Sequence, residues 1–263
     1  MRLRVLGMRA SYPGPDGVCS GYLVDDGVTA LLFDCGHGVV GRLASVMDPA
    51  DLDAVFITHG HPDHVADLFA LMARLRYAPD GPAPALPLYG PHSLLESLSC
   101  MLSERGTREL LAAFEHRPLH AGQQVRVGGL AVEAAAVTHS DEAFGFRVLS
   151  DTGSLFYTGD AALTEELPRE AAGCGLILCE ATLPQGAGSG AEHMTPAQAA
   201  TLAREAGAEA LLLTHLWPGV PGRAILDQAE EVFGGLTLLA RDGLVIAAEG
   251  GSWSEKAEGQ RTS

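Results

Sequence analysis

Four apolar runs along the chain end in the same way, with a threonine followed by a side chain that can bind a metal. Runs of this length without polar interruption are typical of strands covered on both faces of a sheet. The runs and the polar residues that follow them are 54–58 with His59, 134–138 with His139, 155–158 with Asp160 after Gly159, and 210–214 with His215. Because polar residues at the ends of such strands gather at one edge of the sheets, we predict that these side chains share one metal site.

The positions between these runs predict helices. We predict three, over residues 62–75, 94–102 and 195–206. The first has apolar residues at helical spacing from Val65 to Leu75. The third begins with a capping box formed by Thr195 and Gln198, with proline at the first helical position. Gly207 is the expected stop after it.

Further strand-like segments predict two sheets. Residues 1–7 are predicted to form a first strand, and 151–153 the turn of a hairpin that joins 144–149 to 155–157. Both halves of the chain contain strands followed by a helix, so we predict an α/β (α+β) protein with two sheets packed together and helices outside. The proline-rich residues 79–87 are predicted to be a surface loop, since candidate ligands lie on both sides of it.

Length and composition fit one globular unit. With 263 residues, 47% of them hydrophobic, the chain can form one large domain or two small ones. We predict a single domain over residues 1–249 and a disordered polar tail over 250–263. No apolar run approaches the roughly 20 residues that span a membrane, and the first residues do not resemble a signal peptide. Five cysteines without paired spacing predict no disulfide framework, so we expect a cytoplasmic protein without a membrane partner.

The charge balance argues against a long nucleic acid as partner. The net charge is −16, with 17 basic residues scattered among 33 acidic ones, whereas contacts along a phosphate backbone need clustered lysine and arginine. We therefore expect a small-molecule substrate. The sequence shows no distinct interface patch, and a homodimer is left open.

The densest group of candidate ligands lies in residues 58–64. This segment contains His59, His61, Asp63 and His64 directly after the first strand-like run, where a strand is expected to turn into a helix. Imidazole and carboxylate groups together suit Zn²⁺, which we predict, and also Mn²⁺ or Fe. The alternative is a polar loop that happens to be rich in histidine.

The whole pattern resembles the metallo-β-lactamase fold superfamily, and within it the ribonuclease Z-like branch. The superfamily pattern is carried by His59, His61, Asp63, His64, His139, Asp160 and His215. Three segments are similar to motifs of the branch, namely residues 33–38, 179–182 and 193–195. His37 stands where the branch usually has glutamate, and Cys179 where it has histidine. The resemblance covers residues 2–248 and implies a four-layer αββα sandwich of two mixed sheets flanked by helices.

One departure from the branch concerns its substrate. Members that process transfer RNA carry an arm that grips the RNA, inserted between the third and fourth motifs. Here only about twenty residues separate His139 from Asp160, and they are predicted to form a short hairpin. We therefore do not expect transfer-RNA maturation, and an RNA 3′-processing endonuclease is only a minor alternative.

The resemblance implies two divalent metal ions that share the seven ligands. One ion would be held by His59, His61 and His139, the other by Asp63, His64 and His215, with Asp160 bridging them. Two such metals lower the pKa of bound water from about 15.7 to about 7 and supply a hydroxide near neutral pH. That hydroxide would attack a phosphorus or a carbonyl carbon. Asp63 could also orient the hydroxide, or it could be a ligand only.

Several residues outside the ligand set are candidates for supporting roles. By resemblance, His193 faces the site and could stabilise charge or protonate a leaving oxygen, a contribution of roughly 10²–10⁴ in rate; the alternative is a water-exposed histidine before a helix. Glu180 could orient His193 or be merely structural. Asp34 is expected to support a metal-binding histidine from behind. The role of His37 is open.

Two segments near these candidates complete the predicted site. Residues 217–219 could form a wall of the pocket or a structural turn. The glycine-rich residues 185–190 lack the lysine and the spacing of a phosphate-binding loop, and are predicted to form a flexible flap before His193.

Together the residues favour a metal-dependent phosphodiesterase that acts on small phosphoesters such as cyclic or short nucleotides. The support is the pair of segments containing Glu180 and His193, which accompany phosphodiester chemistry in the resembling branch. The same hydroxide could instead hydrolyse the acyl bond of a lactone, thioester or amide, and the metal ligands do not discriminate between these reactions. A third class is a non-hydrolytic binding protein or oxidoreductase, which would predict bound iron and a redox partner.

Overall fold

The computed structural model describes residues 1–140, 142–184, 186 and 192–256 of the chain. The strands in this part of the chain are β1 (Arg2–Gly7), β2 (Gly21–Asp25), β3 (Ala30–Phe33), β4 (Ala54–Phe56), β5 (Leu86–Gly90), β6 (Phe114–Pro118), β7 (Gln124–Val127), β8 (Leu130–Ala136), β9 (Phe144–Ser150), β10 (Gly153–Tyr157), β11 (Leu176–Glu180), β12 (Ala210–Thr214), β13 (Leu236–Leu239), β14 (Val245–Glu249) and β15 (Ser252–Lys256). The α-helices are α1 (Val39–Ala44), α2 (Pro62–Val65), α3 (Leu68–Tyr77), α4 (Leu94–Ser99), α5 (Glu104–Ala113), α6 (Leu167–Ala171), α7 (Pro196–Glu205) and α8 (Gly222–Glu230).

The strands form two mixed sheets. One sheet has eight strands in the order β15-β14-β1-β2-β3-β4-β5-β6, and the other has seven in the order β13-β12-β11-β10-β9-β8-β7. Strands β3 to β6 are parallel neighbours in the first sheet, and β10 to β13 are parallel neighbours in the second. The other neighbours are antiparallel, including the predicted hairpin of β9 and β10.

The buried side chains form two cores that explain the continuous apolar runs. Phe33 of β3 and Phe56 of β4 lie in the core between the sheets, where their rings stack with 5.3 Å between centroids. Their chain neighbours Leu32 and Val55 belong to a second core beneath α1 and α3. Since successive residues of a strand face opposite sides, strands covered on both sides are apolar at every position. The predicted αββα sandwich of two mixed sheets flanked by helices is confirmed.

The predicted capped helix is confirmed as α7. The side chain of Thr195 accepts a hydrogen bond from the backbone N–H of Gln198 (3.2 Å), and the backbone N–H of Thr195 donates to the side-chain oxygen of Gln198 (2.9 Å). The helix ends at Glu205, and Gly207 follows in the left-handed conformation at φ +72°.

The prediction of one continuous helix over residues 62–75 is wrong, because the structure has two separate helices, α2 and α3, in this part of the chain. The backbone N–H of Asp67 donates to the carbonyl oxygen of Cys35 (2.9 Å), outside its own helix. The Asp67 side chain accepts a hydrogen bond from the backbone N–H of Val40 (2.9 Å). These contacts with a distant segment divide the helix and keep α2 short. The helix predicted at 94–102 is α4 and ends at Ser99. Helices α1, α5, α6 and α8 are not predicted by the sequence patterns.

The prediction of a disordered tail over residues 250–263 is wrong for residues 252–256, which form strand β15. Strand β15 pairs antiparallel with β14, with Trp253 opposite Ala248. Trp253 is buried and belongs to the core between the sheets, so one large apolar side chain anchors an otherwise polar segment. The predicted domain boundary after residue 249 therefore falls inside a hairpin, and residues 257–263 lie outside the described part.

None of the helices in the described ranges combines the length and the apolar character that crossing a membrane requires.

Candidate metal centre

The ends of the four predicted strand segments meet at one edge of the facing sheets. The residues after β4, β8, β10 and β12 supply His59, His139, Asp160 and His215. The short helix α2 adds Asp63 and His64. The structure thus brings the seven residues predicted as ligands into one cluster, and their role as ligands stays a prediction.

The cluster divides into groups whose possible ligand atoms lie within 4.8 Å of one another. One group is His59, His61, His139 and Asp160; a second is Asp63, His64 and His215; a third is Asp160, His193 and His215. Asp160 belongs to the first group and also lies close to His64 and His215 of the second. Its Oδ2 is 3.8 Å from Nε2 of His59 and 3.4 Å from Nε2 of His64, and its Oδ1 is 3.3 Å from Nδ1 of His215. This central position is the one that a bridging carboxylate needs.

Hydrogen bonds at Nδ1 orient four of the histidine rings. The Nδ1 partners are the Thr58 hydroxyl for His59 (3.0 Å), the Asp34 carboxylate for His64 (2.7 Å), the Glu192 carbonyl oxygen for His139 (3.0 Å) and the Thr182 hydroxyl for His215 (2.8 Å). Such contacts hold a ring in place and fix which nitrogen carries the proton. In these four residues Nε2 is thereby left for the centre of the cluster.

The polar atoms at the centre of the cluster fit a cation. Nε2 of His64 lies 3.3 Å from Nε2 of His215, and Nε2 of His139 lies 3.2 Å from Nδ1 of His61. Neutral imidazole nitrogens that face each other in this way can share a positive ion between their lone pairs. Nε2 of His59 and Oδ1 of Asp160 are buried without a hydrogen-bond partner, although buried polar atoms are nearly always paired. A metal ion would serve all these atoms.

The electrostatics of the cluster also favour positive charge. Asp34, Asp63 and Asp160 are all buried. Burial lowers the pKa of His64, but the negative charges of Asp160 and Asp34 outweigh it and raise that pKa well above its usual value. At His59 burial prevails and lowers the pKa, which keeps this imidazole in the neutral form that binds metals.

Asp34 lies behind His64, as predicted. Its Oδ2 accepts from the hydroxyl of Tyr157 (2.6 Å) as well as lying 2.7 Å from His64 Nδ1, and its Oδ1 accepts from the backbone N–H of Thr58 (2.8 Å). Both carboxylate oxygens of Asp34 are therefore engaged in hydrogen bonds with other residues. Asp34 belongs to none of the three candidate ligand groups among the described residues.

Replacing Asp34 with asparagine is expected to weaken metal binding by about 10–100-fold, the usual effect of losing a carboxylate behind a ligating histidine. The amide keeps the shape but cannot accept equally from His64, Tyr157 and Thr58. Competition with a chromogenic chelator measures the affinity. Asp25→Asn, which changes a partly buried carboxylate paired with Arg2 (2.6 Å), is the matched control. Unchanged affinity in Asp34→Asn would limit Asp34 to a packing role.

His193 and Glu180 form a pair at the edge of the cluster. Glu180 is fully buried; its Oε1 lies 2.9 Å from Nδ1 of His193 and accepts from the backbone N–H of Ala161 (2.9 Å). Nδ1 of His193 is 4.0 Å from Oδ2 of Asp160. Burial lowers the pKa of His193, but the negative charge of Glu180 and the hydrogen bond that this carboxylate accepts outweigh it and raise that pKa above the usual value. The structure thus joins the two residues, and their catalytic roles stay predictions.

Backbone strain is concentrated at this site. The non-glycine residues with positive φ in the described chain are Ser11 (60°), Asp34 (56°) and His215 (53°), a conformation that side chains with a Cβ rarely adopt. The backbone N–H of Ser11 donates to Oδ2 of Asp63 (2.6 Å). Strained residues are often found at functional sites, and here the strain aims groups at the cluster. Sequence reasoning missed Ser11 and Tyr157, since neither belongs to a local motif.

Other candidates lie outside the cluster or outside the described residues. His37 is exposed and belongs to none of the three groups. His116 lies near the carbonyl oxygen of Pro91 (3.1 Å), which is a structural contact. Most of the predicted flap over residues 185–190 falls outside the described part of the chain.

A small cavity opens beside the cluster. It has a volume of about 320 Å³, and its lining includes His61, Val65, Leu98 and Glu142. A larger cavity of about 720 Å³ is lined by Arg2, Arg4 and other residues remote from the predicted ligands. The smaller cavity is the candidate substrate site because it lies beside the predicted metal ligands, although the other cavity is larger.

Comparison with known proteins agrees with this geometry. A family profile described as "Beta-lactamase superfamily domain" matches residues 29–216. The uncharacterized protein Rv1339 of Mycobacterium tuberculosis is 33% identical over 240 residues, which cover 89% of this chain and 88% of that protein. The ribonuclease Z of Methanopyrus kandleri is 28% identical over 282 residues, covering 93% and 96% of the two chains.

A third relative has a known structure. The probable metallo-hydrolase YhfI of Bacillus subtilis is 28% identical over 249 residues, covering 93% of this chain and 99% of that protein. The crystal structure of YhfI, a metallo-beta-lactamase fold protein, matches with a TM-score of 0.82 at 26% identity, over 93% of this chain and 98% of that one.

The two-sheet sandwich and its cluster of histidine and aspartate side chains define a hydrolytic enzyme of the metallo-hydrolase class. Among such enzymes, the match over residues 29–216 and the relative at 33% identity identify the family. The chain belongs to the beta-lactamase superfamily, and its relatives include metallo-hydrolases and ribonuclease Z.

Proposed function

We propose that this enzyme hydrolyses phosphodiesters of small molecules, such as cyclic or short nucleotides. The observation that carries this proposal is the pair of His193 and Glu180 beside Asp160. A carboxylate that holds Nδ1 of an imidazole leaves Nε2 to act on the substrate. Such a nitrogen can stabilise charge on a phosphoryl oxygen or protonate a leaving oxygen.

The metal requirement is part of this proposal. His59, His61, His139, Asp63, His64 and His215 would hold two divalent cations, with Asp160 between them. We propose Zn²⁺, with Mn²⁺ or Fe as the alternatives. When bound, these cations would stabilise charge on the phosphoryl group and lower the pKa of a water molecule.

Each protein group then has a task in the proposed reaction. Asp63, fixed by the backbone N–H of Ser11 and lying 3.2 Å from Nε2 of His215, would serve as a ligand and could also orient the attacking water. His193 would act on the leaving group or on the charge of the phosphoryl oxygens. Glu180, held by the backbone N–H groups of Ala161 and Thr182 (2.9 and 3.2 Å), would position His193.

Small substrates are favoured by the surroundings of the cluster. The adjacent cavity of about 320 Å³ is at the small end of ligand pockets. Strands β9 and β10 account for most of the residues between His139 and Asp160, so a long RNA-gripping arm has no place there. A net charge of −16 disfavours a long polyanion.

A substrate panel tests the proposal. We expect kcat/KM for bis(p-nitrophenyl) phosphate to exceed that for a lactone and a thioester by about 10²-fold or more. Faster turnover of the lactone or the thioester would replace the proposal with acyl-bond hydrolysis. Cleavage of RNA 3′ ends with a steep salt dependence would replace it with the endonuclease alternative.

We also propose that the enzyme works in the cytoplasm. All five cysteines are free in the structure, and four of them are buried. Free thiols persist in reducing compartments, whereas disulfides form in oxidising ones.

A further inference from the structure

Two exposed aromatic side chains lie together on loops that adjoin the candidate metal centre. Tyr12 is 53% exposed and Trp217 is 38% exposed. Their ring centroids are 6.1 Å apart with an interplanar angle of 54°. With Val220 they make up three of the nine large apolar side chains that are exposed among the described residues. Large rings are usually buried, so their presence in two loops at one place calls for an explanation.

The backbone connects both rings directly to the predicted ligands. Tyr12 follows Ser11, whose N–H donates to Oδ2 of Asp63 (2.6 Å). Trp217 stands two residues after His215. Asp63 and His215 belong to the same candidate ligand group, so the two loops that carry the rings adjoin that half of the candidate centre. The cavity of about 320 Å³, which contains His61, borders the other half.

The loops that carry the rings are fixed to each other. Arg9, which is only 6% exposed, is paired with the carboxylate of Asp16 and donates to the carbonyl oxygen of Trp217 (3.2 Å). A side chain at Gly14 would meet Pro218 at 3.1 Å, so the two loops are in close packing there. A buried guanidinium that joins both loops holds the rings ready before any ligand arrives.

We propose that Tyr12 and Trp217 bind a planar aromatic group of the substrate, such as a nucleobase, so that the enzyme prefers nucleotide esters to aliphatic phosphodiesters. This inference rests on the proposed phosphodiesterase function. Aromatic faces stack on every base without requiring a particular hydrogen-bond pattern. The preference would therefore be for a base as such, with little selection among bases.

The expected kinetic effect of the rings is on binding. Stacking on a group that does not react stabilises the bound substrate and the transition state equally, which alters KM and leaves kcat unchanged. Removal of either ring is expected to raise KM by about tenfold for a substrate that carries a base.

Fluorescence tests the binding directly and does not depend on turnover. The chain has two tryptophans, and the other, Trp253, is buried. In Trp253→Phe, we expect adenosine to quench the emission of Trp217 in a saturable way, while ribose does not. Tyr12→Leu in the same background should weaken the adenosine affinity about tenfold. If Trp253→Phe does not fold, the difference in signal between the natural chain and Trp217→Phe gives the same information. Absence of saturable quenching would overturn the proposal.

Kinetics test the same rings with matched substrates. Tyr12→Leu and Trp217→Leu should raise KM about tenfold for adenosine 2′,3′-cyclic phosphate and leave glycerol 1,2-cyclic phosphate within about twofold. Tyr77→Leu, also 53% exposed but on α3, is the control. Equal effects on both substrates, or a concentration-dependent dimer lost in Tyr12→Leu, would mean that the rings serve another purpose. If neither ester is hydrolysed while adenosine still binds, the proposed function fails and the ring site remains.

Discussion

Replacing Asp160 with alanine is expected to lower kcat/KM by about 10³-fold or more and to leave less than the natural content of bound metal. Asp160 Oδ2 lies within 4.0 Å of nitrogens of His59, His64, His139 and His193. Removing this buried charge takes away the one carboxylate shared by both halves of the cluster. Stabilisation by a metal supplies several kcal/mol to the transition state, and each 1.36 kcal/mol corresponds to about tenfold in rate.

The measurement is metal analysis of dialysed protein together with steady-state kinetics. Asp151→Ala is the matched control, because Asp151 is exposed at the turn of the same hairpin. Circular dichroism establishes that both variants are folded. Natural metal content and turnover in Asp160→Ala would contradict the assignment of a metal centre to these residues.

Replacing His193 with alanine is expected to lower kcat by roughly 10²–10⁴-fold, the contribution typical of a positioned acid or base, while the metal content stays the same. The pair with Glu180 orients the imidazole at the edge of the cluster, so its loss should affect the reaction more than metal binding. Glu180→Gln, which keeps the shape of the side chain, should cause a smaller loss because the imidazole is still present.

The control for this variant is His120→Ala, an exposed histidine outside the three ligand groups. Metal analysis decides between two roles, since His193 also lies in a group with Asp160 and His215 whose ligand atoms are within 4.8 Å of one another. Metal lost together with activity would make His193 a ligand. Full activity in His193→Ala would remove it from the reaction altogether.

The expected loss of activity differs between the Asp160 and His193 variants because the two residues have different proposed roles. Asp160 would itself bind the cations, so its loss would remove the proposed source of the attacking hydroxide. In the proposed reaction, His193 would act on one proton or one charge, and its loss would leave the rest of the site intact. The aromatic rings would contribute binding energy away from the reacting atoms, and we expect their effect to be the smallest.

Much of the fold could be predicted from local patterns. The strand before His59 is a continuous apolar run because the two cores cover its two faces. The run before His215 is buried at every position, whereas β8, before His139, has half-buried residues at alternate positions. The capping box of α7 is a signal contained within four residues. Both signals depend on neighbours in the chain, which is why the sequence is sufficient to find them.

Other features depended on contacts that no local pattern shows. The helix predicted over residues 62–75 is divided because Asp67 bonds to Cys35 and Val40. Strand β15 exists because Trp253 enters the core between the sheets. In both cases a contact with a distant segment outweighs the local preference.

By itself, the sequence determined the layered fold and the set of seven candidate ligands, since strand ends and ligand spacing are properties of short segments. Only the tertiary structure decided that Ser11 donates a hydrogen bond to Asp63, that Tyr157 donates one to Asp34, and that Tyr12 meets Trp217. The physical reason is distance along the chain. Tyr12 and Trp217 are about two hundred residues apart, and it is the packing of the whole sandwich that brings such loops together.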